Sequence, residues 1–303
     1  MAGTPASNVE STVKSTVESA GLRLSVRERS PAGRGRPTVV LVHGYPDRQE
    51  AWDALVGRLP LDRWHVVTYD VRGAGASQAP SDRAGYRVER LVDDLVAVLD
   101  HVLSPGEPAH LVGHDWGSVQ LWEALAHEPV DDRLRGRIAS FTSVSGPPPD
   151  HFARLARHPK GRALELARQL GHSWYVLFFQ TPLLPDEVWR RAHRTIGRLT
   201  ARAEGLPDDH WGPGLASDAV HGLELYRANL RRPRREPRPR PRTDVPVLVV
   251  HPLQDRFLTG VLLEGLGERC SDLRVETVDA GHWMTVTHPE TLAGLLVEHV
   301  DGH

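Results

Sequence analysis

Leu111-Val112-Gly113-His114-Asp115-Trp116-Gly117-Ser118 reads as a strand that passes straight into a helix through a Gly-x-Asp-x-Gly turn. Such a turn is sharp, and its glycines let neighbouring backbone approach closely. It lifts the central side chain to the top of a sheet, where a serine nucleophile commonly sits. Here that side chain is the carboxylate of Asp115. A serine must lose a proton to attack, whereas an aspartate, with an unperturbed pKa of about 3.9, is ionised at neutral pH. A carboxylate is a modest nucleophile suited to displacement at a saturated carbon, and the product is an alkyl ester on the protein. Water must then hydrolyse that ester, and this step needs a base. Alone, the turn has a plain alternative, a helix start capped by an aspartate.

The surrounding sequence supplies a frame for the turn. Thr38-Val39-Val40-Leu41-Val42 is a continuous apolar run followed by His43-Gly44, and residues 65–69, 109–112, 138–144 and 247–251 repeat the pattern. Such runs suit strands covered on both faces, as in a parallel sheet. Residues 273–278 read as the last strand. Between them, residues 87–102 place Leu91, Leu95, Val98, Leu99 and Val102 on one helical stripe. Leu22-Arg23-Leu24-Ser25-Val26 alternates strictly, and the segment from Val13 to Val17 can pair with it through Ala20-Gly21. Strands alternating with helices predict a doubly wound α/β sheet with an antiparallel start. The alternation stops between about Pro147 and Thr243, where three tryptophans and helix-like segments occur without a convincing strand. Pro147-Pro148-Pro149 opens this stretch and an Arg/Pro run at residues 231–242 closes it, which predicts an inserted, mostly helical unit. The Arg/Pro run reads as a solvated extended connection rather than a nucleic-acid patch, because prolines prevent a helix and no aromatics interleave.

Bulk properties narrow the class. The 303 residues, 40% hydrophobic and 25% charged, suit one large domain or a core with an insertion. A formal net charge of −2 favours neither nucleic acid nor an anionic membrane. The single Cys270 excludes an internal disulfide and reads as a buried filler, since no nearby motif would lower its pKa. The first residues, MAGTPASNVESTVKS, lack the charged-then-apolar pattern of a signal peptide. No apolar run approaches the ~18 residues needed to span a bilayer. A soluble, cytoplasmic protein is the expectation.

Partners for Asp115 stand at the ends of other strands. His282, in Asp279-Ala280-Gly281-His282-Trp283, follows the last strand and is the candidate base. Asp255, in His251-Pro252-Leu253-Gln254-Asp255, follows the preceding strand and is the candidate acid that fixes the imidazole tautomer. Asp279 reads as a turn residue. After the first buried strand, His43-Gly44-Tyr45-Pro46 offers the Tyr45 N–H as an oxyanion donor, and the Trp116 N–H at the helix start offers a second. A histidine near the C-terminus is commonly a surface residue, but four motifs in order, each at a strand's carboxyl end, point to one site.

Three stretches carry a family resemblance. His43-Gly44-Tyr45-Pro46-Asp47, Asp70-Val71-Arg72-Gly73-Ala74-Gly75-Ala76-Ser77 and Gly113-His114-Asp115-Trp116-Gly117 resemble epoxide hydrolases and haloalkane dehalogenases of the α/β-hydrolase fold. The resemblance runs from about residue 20 to 300. The stretch 103–147 is similar to actinobacterial proteins described as epoxide hydrolases, some of which continue into a short-chain dehydrogenase domain that this chain ends before. The resemblance implies a mostly parallel eight-stranded sheet, with the core in residues 1–146 and 244–303 and a helical cap in residues 147–243. Ser173-Trp174-Tyr175 and Leu225-Tyr226-Arg227 resemble the segments that carry two cap tyrosines, so Tyr175 and Tyr226 match the donors to an epoxide oxygen. Trp174, Phe178, Phe179 and Trp189 suggest an apolar lining.

The implied activity is that of a hydrolase acting on an ether bond: a small apolar epoxide and water react, with no metal or organic cofactor. Haloalkane dehalogenation with the same triad is the alternative. The asparagine some dehalogenases carry is replaced here by Tyr45, although Trp174 could hold a halide. Fluoroacetate dehalogenases have an arginine where Trp116 stands. A non-catalytic receptor that keeps the pocket is the reading from another class.

Overall fold

A computed structural model describes residues 12–29, 36–157, 159, 161–230 and 242–303. The first eleven residues and the Arg/Pro run up to residue 241 lie outside the described residues, so the readings made of them stay expectations. Eight strands form one sheet: β1 (Thr12–Ser19), β2 (Leu22–Arg29), β3 (Thr38–Val42), β4 (His65–Tyr69), β5 (Ala109–His114), β6 (Ile138–Val144), β7 (Val247–Pro252) and β8 (Leu273–Val278). Their order across the sheet is β1-β2-β4-β3-β5-β6-β7-β8. β1 pairs antiparallel with β2, and β2 antiparallel with β4; the remaining neighbours are parallel.

The apolar runs become central strands because both sheet faces are covered. Val40 and Val42 of β3 enter one hydrophobic cluster, and Val39 and Leu41 enter another. Successive strand side chains point to opposite faces, so a run without polar interruption fits a sheet buried on two sides. The helices in chain order are α1 (Asp53–Val56), α2 (Val88–Val102), α3 (Trp116–His127), α4 (His151–Arg157), α5 (Ala163–His172), α6 (Trp174–Phe179), α7 (Leu184–Glu204), α8 (Leu215–Asn229), α9 (Met284–Thr287) and α10 (Pro289–Asp301). α2 and α3 pack Leu91, Leu95, Leu99, Leu121 and Leu125 on one face. α1, α9 and α10 pack Leu55, Met284, Leu292 and Leu296 on the other. Each such fully buried side chain contributes about 1.5–3 kcal/mol relative to exposure.

Strand β2 runs three residues beyond the alternating segment. Arg27 and Arg29 lie on its continuation, opposite Thr68 and Val66 of β4. They pair with Glu50 and with Asp53, so charge on this stretch is compensated rather than a stop signal.

Among the described residues, five helices, α4 to α8, come between β6 and β7. Side chains stitch them to the sheet layer. Asn229 at the end of α8 accepts from the Val88 N–H at the start of α2 at 2.9 Å, satisfying a donor that a helix start leaves open. Arg48 pairs with Asp218, and Arg83 with Glu224 at 2.5 Å.

The strand order places the site. From β3 the chain goes to β4 on one side, then returns to β5 on the other. The carboxyl ends of β3 and β5 therefore diverge into a crevice at the point where winding reverses, where open α/β sheets bind ligands. Asp70, at the end of β4, fixes the loops around it. Its carboxylate accepts from Gln49 N, Gln49 Nε2 and Ala76 N, each at 2.9 Å.

Candidate active site

Asp115 stands between β5 and α3 with φ 51° and ψ −120°. A non-glycine residue there is strained by about 1–3 kcal/mol, which the surroundings must outweigh. Its N–H donates to Val144 O at 3.0 Å and its carbonyl accepts from Val119 N at 3.0 Å, so both backbone groups are held. Gly117 has no space for a side chain, because a Cβ would collide with the carbonyl oxygens of Val42 and His43. A Cβ on Gly44 would collide with the Asp115 carboxylate. The two glycines let the loop after β3 and the start of α3 close around Asp115.

That closure delivers two N–H donors to one carboxylate oxygen region. Tyr45 N donates to Asp115 Oδ1 at 2.7 Å, and the Trp116 backbone N–H also hydrogen-bonds the carboxylate. Asp115 Oδ2 faces His282 Nε2 at 3.8 Å. On the far side of the ring, His282 Nδ1 donates to Asp255 Oδ2 at 2.9 Å. Asp255 Oδ1 accepts from Phe257 N at 2.8 Å and Leu258 N at 3.0 Å, which fixes its plane. The structure thus brings Asp115, His282, Asp255, Tyr45 and Trp116 together. Asp279 lies apart and accepts from Gln254 Nε2, as a turn residue does.

Charge at the site follows from burial and proximity. Burial pushes the Asp115 carboxyl up to about 6, against the pull of His282 and the two N–H groups. Burial also opposes a charge on His282, but Asp255, Asp115 and Glu204 outweigh it and raise the imidazole to about 9. Burial likewise opposes the Asp255 charge, yet His282 and its N–H donors hold that carboxyl below the usual range. At neutral pH the resting site therefore contains an imidazolium between two carboxylates.

Over this triad lies a cavity of about 490 Å³. Tyr175 and Phe178 of α6 line it, with Trp189 of α7 and Tyr226 of α8. Tyr175 and Tyr226 have ring centroids 6.1 Å apart. Burial, followed by the Asp115 charge, raises the Tyr175 phenol far above its ordinary pKa, and Tyr226 is raised by burial, Tyr175 and Asp115. Both hydroxyls keep their protons and can only serve as donors or neutral acceptors. Phe179 is buried against Tyr45 and Tyr226, with centroids at 5.6 and 5.0 Å. Trp174 also lines the cavity but is 66% exposed, which puts it at the mouth. Among the described lining residues none is Lys or Arg, and only Asp115 and His282 carry charge. No group of three or more His, Cys, Asp or Glu among the described residues is arranged to hold a metal ion.

Two polar residues at the site escape a reading of the sequence. Asp47 is buried and accepts from Trp211 Nε1 at 2.7 Å, Trp283 Nε1 at 2.9 Å and His210 Nε2 at 3.2 Å. It joins the loop after β3, the α7–α8 connection and the His282 loop. Burial opposes its charge, but His210, His114 and Trp283 hold the carboxyl down at about 2. Asp47 ends the quoted His-Gly-Tyr-Pro-Asp motif, which is the one signal that could have marked it. Glu204 is the second, and no motif contains it. His114, beside Asp115, donates from Nε2 to the His282 carbonyl at 2.9 Å; burial and His282 push its pKa down to about 4, so it is neutral.

Residues 37–289 match the alpha/beta hydrolase fold family. The chain belongs to that family. Among the proteins to which it is similar is one of Mycobacterium tuberculosis named "Probable oxidoreductase EphD", 35% identical over 293 residues, 93% of this chain and 48% of the relative. The chain thus spans about half the length of that relative. Epoxide hydrolase 3 of Mus musculus is 26% identical over 91% of the chain and 73% of its own length. The crystal structure of epoxide hydrolase A from Mycobacterium thermoresistibile superposes on this α/β hydrolase with a TM-score of 0.75 and 26% identity, covering 96% of this chain and 99% of that one. No described helix is long and apolar enough to cross a membrane.

Proposed function

We propose that this α/β hydrolase opens an epoxide to a vicinal diol, with residues 147–243 acting as a cap over the site. One observation carries the reading: two protonated phenols, Tyr175 and Tyr226, share an apolar cavity with the Asp115 carboxylate. An epoxide carbon attacked by a carboxylate releases an alkoxide, a poor leaving group that requires hydrogen bonds or a proton. A halide leaves as a stable anion and needs only N–H donors. The Trp116 indole is drawn to the Tyr226 hydroxyl, and Trp174 stands at the mouth. Neither arrangement favours halide binding. The similarity to epoxide hydrolases from mouse and from Mycobacterium thermoresistibile supports the same reading. The relative named an oxidoreductase is matched over only 48% of its length, so a name given to that whole protein is not carried over to this chain.

In the proposed sequence Asp115 attacks one epoxide carbon, while Tyr175 and Tyr226 donate to the opening oxygen. The ester so formed no longer carries the Asp115 charge. That loss lowers the His282 pKa, since Asp115 is one of the groups raising it. The imidazolium then releases its proton to solvent, which balances the proton that the opened oxygen takes up to become a hydroxyl, and the neutral imidazole takes a proton from the attacking water. Asp255 stabilises the imidazolium that forms. Water attacks the ester carbonyl, and the N–H groups of Tyr45 and Trp116 hold the oxyanion; its collapse breaks the ester C–O bond, the diol oxygen leaves with the imidazolium proton, and the Asp115 carboxylate is restored.

Two expected results arise here. The rate of ester formation falls with protonation of Asp115, so stopped-flow alkylation should drop as pH passes down through about 6. Ester hydrolysis needs neutral His282, and its pH midpoint should lie below about 9, because the esterified site has lost one raising charge. A hydrolysis midpoint at or above that value contradicts the order of charge changes. Second, Tyr175→Phe or Tyr226→Phe should each cost about 10–100-fold in alkylation, and the double variant more than either, because one phenol can still polarise the oxygen. Unchanged alkylation in the double variant argues against epoxides.

The deciding experiment is turnover in oxygen-18 water, with styrene oxide and 1-bromobutane in parallel. Diol from the epoxide, with label entering Asp115 over several turnovers, supports the ester route. Bromide release without diol moves the assignment to dehalogenation. Binding of either compound without product favours a receptor.

A further inference from the structure

Helix α7 ends in Glu204, whose buried carboxylate lies against the loop carrying His282. Oε2 accepts from the His282 N–H at 3.1 Å. Oε1 has no well-formed hydrogen bond and faces Arg256 Nε at 3.3 Å. The Arg256 side chain is 65% exposed, so water shares its charge. Gly281 makes the approach possible, since a Cβ there would lie 2.8 Å from Oε2. Earlier turns of the same helix line the cavity through Trp189, Ile196 and Thr200.

We propose that Glu204 is a positioning residue, which holds the His282 loop against the cap and strengthens the imidazole as a base through its negative charge. This rests on the reading of His282 as the hydrolytic base. The other charged or titratable groups facing His282 are Asp255 at Nδ1, Asp115 at Nε2 and the neutral His114, whose ring centroid is 4.8 Å away. Phe257 and Trp283 close the remaining sides with apolar rings. Once Asp115 is esterified, Asp255 and Glu204 are the two carboxylates left to stabilise the imidazolium formed as water is deprotonated. A backbone anchor alone would need no charge, and the Glu204 carboxylate is opposed only by the largely solvated Arg256, which leaves much of its charge to act on the imidazolium. The carboxylate also comes from the cap, so the base is complete only with α7 seated.

The test separates charge from anchoring. Glu204→Gln keeps an acceptor for the His282 N–H and removes the charge. Arg256→Gln, at an exposed position, removes the opposing cation. The His282 imidazole is titrated by NMR in the resting protein, its signal assigned by its loss in His282→Gln. Glu204→Gln should lower the midpoint by about one unit, and Arg256→Gln should raise it by roughly half a unit. In single-turnover kinetics Glu204→Gln should slow ester hydrolysis about 10-fold at high pH and move its acid limb to lower pH. Alkylation should change little. An unmoved midpoint in Glu204→Gln, or a lowered one in Arg256→Gln, overturns the proposal. Should Glu204→Gln fail to fold, the Arg256→Gln titration decides it alone. The titrations use no substrate, so they stand apart from the epoxide reading, which fails separately if no ester forms on Asp115.

Discussion

On the proposed reading, Asp115→Asn is expected to lower steady epoxide turnover by on the order of 10⁴-fold or more, with secondary structure and thermal unfolding retained. The amide has the shape of the carboxylate, and its oxygen can still accept from Tyr45 N, as Oδ1 does in the native protein. What disappears is the anion proposed to attack carbon. Among the described residues no other carboxylate is placed to replace it: Asp255 is on the far side of His282, and Glu204 is held at that residue's backbone. Turnover is followed by diol formation and the fold by circular dichroism, with the protein checked by mass for reversion of Asn to Asp. Native-level activity in mass-verified protein would remove Asp115 from the chemistry.

His282→Gln gives a different loss. The nucleophile and the two tyrosines remain, so the first step proceeds and one equivalent of epoxide is consumed. Hydrolysis then stalls, slowed by about 10²–10⁴-fold, the usual contribution of a positioned base. The protein should gain the mass of one epoxide, located by digestion to the peptide containing Asp115. Rapid-quench sampling distinguishes accumulation from slow alkylation. Turnover that continues without any accumulated ester sinks the role assigned to His282.

Much of this arrangement is legible in the sequence, and the reasons are local. The Gly-x-Asp-x-Gly turn announces itself because both its strand and its helix have their own patterns. The core strands are legible because burial on two faces leaves no polar interruption, as in β3. Tyr175 and Tyr226 are found by their flanking residues, and the structure brings both to the Asp115 cavity. Asp47 and Glu204 are less visible because what matters about them is long-range. A lone acid at the end of a helix such as α7 reads as a solvated surface group until the fold buries it against His282. Trp174 is intermediate: it lines the cavity as expected but only at the mouth, mostly in solvent, because α6 is short and turns only part of its surface inward. β2 outruns its alternation because Glu50 and Asp53 arrive from elsewhere to meet its arginines.

The glycines at 44 and 117 also bear on how this protein can change. With backbone carbonyls and the Asp115 carboxylate already at contact distance, neither position tolerates even a methyl group. The turn that carries Asp115 beneath the cavity is therefore closed to variation at these two positions. The cavity roof is built differently, from side chains of α6, α7 and α8 that reach inward from outside the sheet. Val188 and Ile196, both only partly buried, lie in that roof away from the strained turn. An engineer seeking a new substrate range should diversify the roof and leave the turn alone, and a lineage drifting toward new substrates faces the same division.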